Sequence, residues 1–223
     1  MKKFELTNEF VTNMFGTKLF RIRALVEFGD VEAGELGGYV EKESNLGHDD
    51  NAWVYDNAWV YGNARVYGDA QVSGDARVYG NARVYGDAQV SGDALVCGNA
   101  LVYDNAWVYG NARVCGDALV CGNARVYGNA LVCGNARVCS DEDYAYAHGF
   151  GSVNRTTTFF RLKDGGVGVR CGCFYGTLAQ FRDKIRETHG ETKKAQEYLM
   201  LADLMELRFE EDENEVGNRK YVE

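Results

Sequence analysis

From Asn51 to Ser140 the chain is fifteen consecutive six-residue units with no insertion, on the pattern Asn/Asp-Ala-x-Val-Tyr/Ser/Cys-Gly. The alanine (Ala52 to Ala136) and the valine (Val54 to Val138) never vary. Ala and Val lie two residues apart, so on a strand they face the same side, which must be the core. Val is β-branched and suits a strand, and Ala is small enough for a tight corner. The Gly-Asn, Gly-Asp and Asp-Asn pairs between units tolerate unusual backbone angles and supply turns. A short strand and a turn every six residues do not make a hairpin meander with this regularity. The pattern predicts a mainly β fold, a β-solenoid in which each strand pairs in parallel with the strand one coil later.

Ala-x-Val followed two residues on by Gly and Asn/Asp resembles the hexapeptide repeat of left-handed parallel β-helices. That resemblance implies three hexads per triangular coil, hence about five coils and a column roughly 24 Å tall at the usual strand spacing. One departure is the frequent Tyr after the inward Val, where that family commonly has a small residue. Upstream, Gly34-Glu35-Leu36-Gly37-Gly38-Tyr39-Val40-Glu41-Lys42-Glu43-Ser44-Asn45-Leu46 leads into Asn51-Ala52-Trp53-Val54-Tyr55. This junction resembles one in uncharacterised hexapeptide-repeat proteins of bacteria, phages and prophages, some labelled transferases by repeat similarity alone. The resemblance implies a fold and a phage or mobile-element setting.

With every third hexad stacked, the residues between Ala and Val form three outward ladders. They are Trp53-Gln71-Gln89-Trp107-Arg125, Trp59-Arg77-Leu95-Arg113-Leu131, and Arg65-Arg83-Leu101-Leu119-Arg137. The residues after Val form Tyr55-Ser73-Ser91-Tyr109-Tyr127, Tyr61-Tyr79-Cys97-Cys115-Cys133, and Tyr67-Tyr85-Tyr103-Cys121-Cys139. Tyr falls on Tyr and Cys on Cys, which supports the 18-residue coil independently of the resemblance. Stacked like residues pack well. Aromatic residues and Arg are also enriched in interface cores. Trp53, Trp59, Arg77, Leu95, Leu101, Trp107, Arg113, Leu119 and Leu131 are therefore the candidate interaction surface, with the leucines as its apolar patch.

A solenoid needs capped ends. Residues 1–50 are expected to supply an N-terminal β cap, with one or two strands within Phe15 to Glu27, and 51–140 the solenoid. Residues 141–223 are expected to form a small ββαα domain. In it Thr156–Leu162 and Val167–Cys173 pair as a hairpin across Asp164-Gly165-Gly166. Thr177 and Gln180 fit a capping box opening a helix to about Glu187, stopped at His189-Gly190. A second helix runs from about Thr192 to Phe209, before a charged, frayed tail from Glu210 to Glu223.

The residues for catalysis are sparse. The three histidines, His48, His148 and His189, all lie outside the hexads, which weighs against the histidine base or three-histidine zinc site of enzymes built on the resembled fold. Repeat carboxylates such as Asp69, Asp75 and Asp87 sit at turn positions, where a local backbone bond explains them. Five of the seven cysteines fall in the ladders, where packing explains them. Cys171 and Cys173 lack the second pair a zinc site usually wants. No metal and no cofactor are expected. The formal net charge of −9 argues against broad, salt-driven binding to nucleic acid. The hexads are nearly neutral, with six arginines against seven aspartates. A small nucleotide could still be held by Arg and Tyr. No run of 18 apolar residues suggests a membrane span, and Met1-Lys2-Lys3-Phe4-Glu5 runs into mixed polar sequence without the apolar stretch of a secretory signal, so a bacterial-type cytoplasm, the host's if phage-encoded, is expected. The expected function is a non-enzymatic, homo-oligomeric solenoid that binds a host or phage partner protein, counter-defence included. The alternatives are an acyltransferase-like enzyme and a nucleotide-binding sponge.

Overall fold

Each Val-containing dipeptide of the hexads forms a strand of two residues, because a turn follows every time. The computed structural model describes residues 2–151 and 153–210. It divides into two units, Met1–Tyr144 and Ala145–Glu223. In the first, three strands precede the hexads, β1 (Phe4–Thr12), β2 (Lys18–Ala24) and β3 (Leu36–Val40). The fifteen strands β4 to β18 then follow at six-residue steps, from Trp53–Val54 to Arg137–Val138. They stack in parallel with an 18-residue offset into three ladders, β4-β7-β10-β13-β16, β5-β8-β11-β14-β17 and β6-β9-β12-β15-β18. Every repeat Ala and Val is fully buried, so the two-residue spacing does define the core.

The corners explain the glycines. Gly98 has φ +71°, and a Cβ there would lie 2.9 Å from the backbone nitrogen of Gly116 one coil on. At two corners an aspartate takes this left-handed conformation, Asp56 (φ 51°) and Asp104 (φ 58°). Each carboxylate then accepts the N–H of the glycine one coil later, Gly74 at 3.0 Å and Gly122 at 3.2 Å. Another corner carries an amide ladder, Asn63 to Asn81 to Asn99 to Asp117, at 3.2, 2.9 and 2.9 Å. The Asp69 carboxylate also reaches across coils, accepting from Asn51 Nδ2 at 2.7 Å. The local turn bond expected for it is thus replaced by an inter-coil bond.

The column is longer than the hexads. β3 pairs in parallel with β5 (Tyr39 with Trp59, Val40 with Val60), and Leu46 bridges Val66. With this irregular coil the solenoid has about six turns. Gly38 fills an alanine slot so tightly that a Cβ would meet the Ala58 carbonyl at 2.6 Å. β1 and β2 pair antiparallel, as do β2 and β3. β2 is a strand expected in the Phe15 to Glu27 stretch; β1 lies ahead of it.

The N-terminal end leaves carbonyls to be satisfied, and two side chains satisfy them. Asn45, buried, donates from Nδ2 to the carbonyls of Ala64 (2.8 Å) and Gly62 (3.2 Å). Lys3, 3% exposed, donates from Nζ to Ala52 O at 2.8 Å and Asp50 O at 3.1 Å. Burial pushes the Lys3 ammonium down to about 8, against the opposing pull of the Asp50, Asp49 and Asp69 carboxylates. Lys3→Met leaves both carbonyls without this donor and is expected to cost about 1–3 kcal/mol. The cost should depend on pH. Between about 8 and the ordinary lysine value of 10.5, the unfolded chain holds the Lys3 proton more tightly than the folded one. The Lys3 contribution to stability therefore rises with pH across that window. Urea unfolding of both proteins from pH 7.5 to 10.5 should show a widening gap; a constant gap would show that burial does not lower the Lys3 pKa.

The second unit is built on the sheet β19 (Tyr144–Phe150), β20 (Arg155–Arg161), β21 (Val167–Cys171) and β22 (Phe174–Thr177), followed by helices α1 (Leu178–His189) and α2 (Lys193–Phe209). The expected hairpin is β20–β21, antiparallel with Phe159 opposite Val169. β19 and β22 add two strands to the expected ββαα. The capping box is present, with Gln180 N donating to Thr177 Oγ1 and Thr177 N to Gln180 Oε1. The helices pack on the sheet through Phe159, Val169, Phe181, Ile185, Tyr198 and Met205. Of the expected tail, residues 211–223 lie outside the described residues. Among the described residues no helix is long and apolar enough to cross a membrane.

Candidate interaction surface

The outward residues stack in the register that an 18-residue coil requires. On the first face Trp53 pairs Gln71, Gln71 pairs Gln89, Gln89 pairs Trp107 and Trp107 pairs Arg125. The second face runs Trp59, Arg77, Leu95, Arg113, Leu131. The third runs Arg65, Arg83, Leu101, Leu119, Arg137. Beside them the tyrosine rings lie almost parallel, Tyr61 on Tyr79 at 5.0 Å, Tyr67 on Tyr85 at 5.0 Å, and Tyr85 on Tyr103 at 5.1 Å.

One candidate is not on the surface. Trp53 points outward from the column but is fully buried, with Phe4 and Phe28 edge-on to its ring. Gly37 lies so close that a Cβ there would sit 2.8 Å from Trp53 Cζ2. The N-terminal strands cover this part of the first face, so Trp53 is a cap anchor and leaves the interaction surface. The other Trp residues carry Arg partners. Arg77 lies 4.7 Å from the Trp59 ring centre, and Arg125 lies 5.6 Å from that of Trp107, which is 43% exposed. Leu95, Leu101, Leu119 and Leu131 are half-buried. They do not form one patch on one face. Leu101 and Leu119 are register neighbours, whereas Leu95 and Leu131 alternate with Arg77 and Arg113.

The titratable groups in the column are held in structural roles. His48 Nδ1 accepts the Lys3 N–H at 3.2 Å, and its ring stacks on Phe4 at 4.5 Å. Burial lowers its pKa, and the nearby Lys3 and Lys2 charges add to this against Glu43. Its Nδ1 lone pair is therefore occupied within the cap. Hydrogen bonding to Cys115 and burial raise the Cys97 thiol. Burial and a bond to Cys97 push Tyr79 up to about 12. The Cys97 thiol is thereby kept from the thiolate form that makes a cysteine reactive. On the third face Cys121 and Cys139, one coil apart with Cα atoms 4.3 Å apart, are joined as a disulfide.

The second unit contains a concavity of about 230 Å³, whose lining includes Arg155, Cys171, Phe181, Lys184, His189 and Tyr198. Thr157 donates its hydroxyl to Cys171 Sγ at 3.2 Å, and the His189 ring lies over Tyr198 at 5.9 Å. The sequence signals here, Cys-x-Cys and a histidine at a helix end, give no hint that they meet, because β21 and α1 bring them together. His148 Nδ1 is 3.0 Å from Thr156 Oγ1. Among the described residues no three His, Cys, Asp or Glu side chains converge as a metal site would need.

A comparison with curated proteins returns no match. The family model described as the YdcK beta solenoid repeat matches residues 58–74, 70–86, 76–92, 94–110, 106–122 and 118–134. These stretches fall on the strands from β5 to β17, where Ala and Val point inward and Gly or Asp turns the corner. Between residues 58 and 134 the column of this chain is thus built of repeats that match the YdcK β-solenoid repeat.

Proposed function

We propose that the protein is a non-enzymatic interaction module, a left-handed hexapeptide-type column that self-associates and binds a host or phage protein partner. The observation that carries this reading is the third face. Leu101 and Leu119 lie side by side in register, half-exposed, between Arg83 on one side and Arg137 on the other. An apolar centre with a charged rim is the usual anatomy of a protein interface, and the arginine rim favours a partner whose contact edge is acidic. The column offers this surface on paired backbone, so little ordering opposes binding. The junction at residues 34–55 supports a phage or prophage setting, in which the partner could be a host defence component, and a cytoplasmic place of action.

The test is the double variant Leu101→Glu/Leu119→Glu. Both side chains point away from the core, so its melting curve and far-UV circular dichroism should match those of the wild type. Native mass spectrometry of gently purified wild type should show a multiple of the 24.8 kDa chain or a bound polypeptide, and the variant should lose it. A wild type that is a bare monomer, or a variant that keeps its assembly, would sink this reading.

A further inference from the structure

We propose that the N-terminal end of the third face is a binding site for a ligand carrying two adjacent phosphoryl groups. Arg65 and Arg83 are direct register partners on β6 and β9, one strand spacing apart, roughly 4.8 Å. Like charges directly opposite on neighbouring strands repel. Four of the six other arginines of this unit lie against a carboxylate or a Trp ring. Arg21 pairs with Glu9 and Arg23 with Glu5, and Arg77 and Arg125 lie against Trp rings. Arg65 and Arg83 are exposed.

A third cation joins them. Lys42, Arg65 and Arg83 line one concavity of about 530 Å³, together with Ser44, Asn63 and Asn81. Lys42 is held over it by the 3-10 turn Glu43–Asn45, its N–H donating to Asn45 Oδ1 and its Nζ lying 3.4 Å from Asn63 Oδ1. The carboxylates flanking Lys42 are engaged elsewhere, Glu41 by the Gly62 N–H at 2.6 Å and Glu43 by Lys2. Three cations converge on one hollow of a chain whose net charge is −9. A guanidinium fork matches phosphate oxygens in geometry. Two forks one coil apart favour two linked phosphoryl groups over one. This site shares Arg83 with the rim of the Leu101–Leu119 surface, while Arg65 and Lys42 lie outside that surface.

The experiment is isothermal titration of the full-length protein with sodium pyrophosphate, with orthophosphate and sulfate at matched ionic strength and with ADP. Pyrophosphate should bind measurably and raise the melting temperature more than either single anion. Arg65→Gln/Arg83→Gln should weaken it by about a hundredfold and Arg83→Gln alone by about tenfold, as charge-assisted bonds are lost. Arg186→Gln, at an exposed arginine of the second unit, should leave it unchanged. ADP binding tighter than pyrophosphate would point to a nucleotide source, and the reverse to an inorganic or protein-free diphosphate; either upholds the site. Sulfate as effective as pyrophosphate, no binding, or full binding by the double variant would overturn it. Arg65→Gln leaves Leu101, Leu119 and their arginine rim in place, so it should weaken pyrophosphate binding by about tenfold without changing the assembly, and this test and that of the partner surface fail separately.

Discussion

Val96→Asp is expected to break the solenoid in its middle. Val96 is fully buried and stacks between Val78 and Val114 in the second ladder. The backbone groups at the adjoining corner already bond the next coil, as in Cys97 N to Val114 O at 2.9 Å. An aspartate would place a carboxylate among Ala and Val side chains. An uncompensated buried charge costs about 4 kcal/mol or more, a large share of the roughly 5–15 kcal/mol that holds an ordinary domain together. Val96→Ala, which only removes methyl groups, should cost about 2 kcal/mol. A solenoid is coupled mainly between neighbouring coils, so the damage should be local before it is global. Limited proteolysis of the Asp variant should cut close to residue 96 while fragments on either side resist for longer. Urea unfolding should show a lost or split transition. A wild-type midpoint for the Asp variant would mean that the inward side of the hexad has been misassigned.

This inward side was the most legible feature of the chain. Invariant Ala and Val two apart have only one arrangement that buries both at every step, and fifteen repetitions leave no freedom in register. The ladders followed from that arithmetic, down to Tyr85 stacking between Tyr67 and Tyr103. What was illegible lies where the period fails. The column continues upstream with Gly38 of β3 in the place of Ala and, beyond the strand, Leu46 in the place of Val, at an offset of 20 residues from their partners Ala58 and Val66 instead of 18. A search for the hexad passes over them. The burial of Trp53 was invisible for a related reason. Its position in the repeat says outward, and only the packing of residues 4, 28 and 37 says covered. The Arg65–Arg83–Lys42 hollow combines both cases. The arginine pair follows from the period, whereas Lys42 is brought to it by an irregular turn outside the period. In the second unit the helix signals at Thr177 and Gly190 were local and therefore readable. The approach of Arg155, Cys171 and His189 depends on sheet order, which no local signal encodes.

The far end of the column supplies the second large effect. Asp143→Ala should fray the last coil, because one carboxylate oxygen there satisfies three donors. Asp143 Oδ2 accepts from Cys139 N and Ser140 N, both at 2.8 Å, and from Ser140 Oγ at 3.1 Å. Asp141 extends the cap by accepting the Arg125 N–H at 2.7 Å, and the Tyr144 hydroxyl donates to Arg125 O at 2.6 Å. The polarity mirrors that of the opposite end, where Lys3 and Asn45 donate to open carbonyls. Hydrogen bonds to a charged group are worth more than neutral ones, and orphaned N–H groups add a desolvation cost, so Asp143→Ala is expected to lose about 2–4 kcal/mol. Asp143→Asn keeps an acceptor oxygen and should lose about 1 kcal/mol. Hydrogen exchange would locate the loss, with Cys139 and Ser140 amides exchanging faster in the Ala variant while Val96 and Val102 stay protected. Uncovering the edge of β18 also exposes a template for strand pairing. The Ala variant should therefore associate with rising concentration where Asn does not. Unchanged exchange at residues 139 and 140 would show that the column ends without needing this carboxylate.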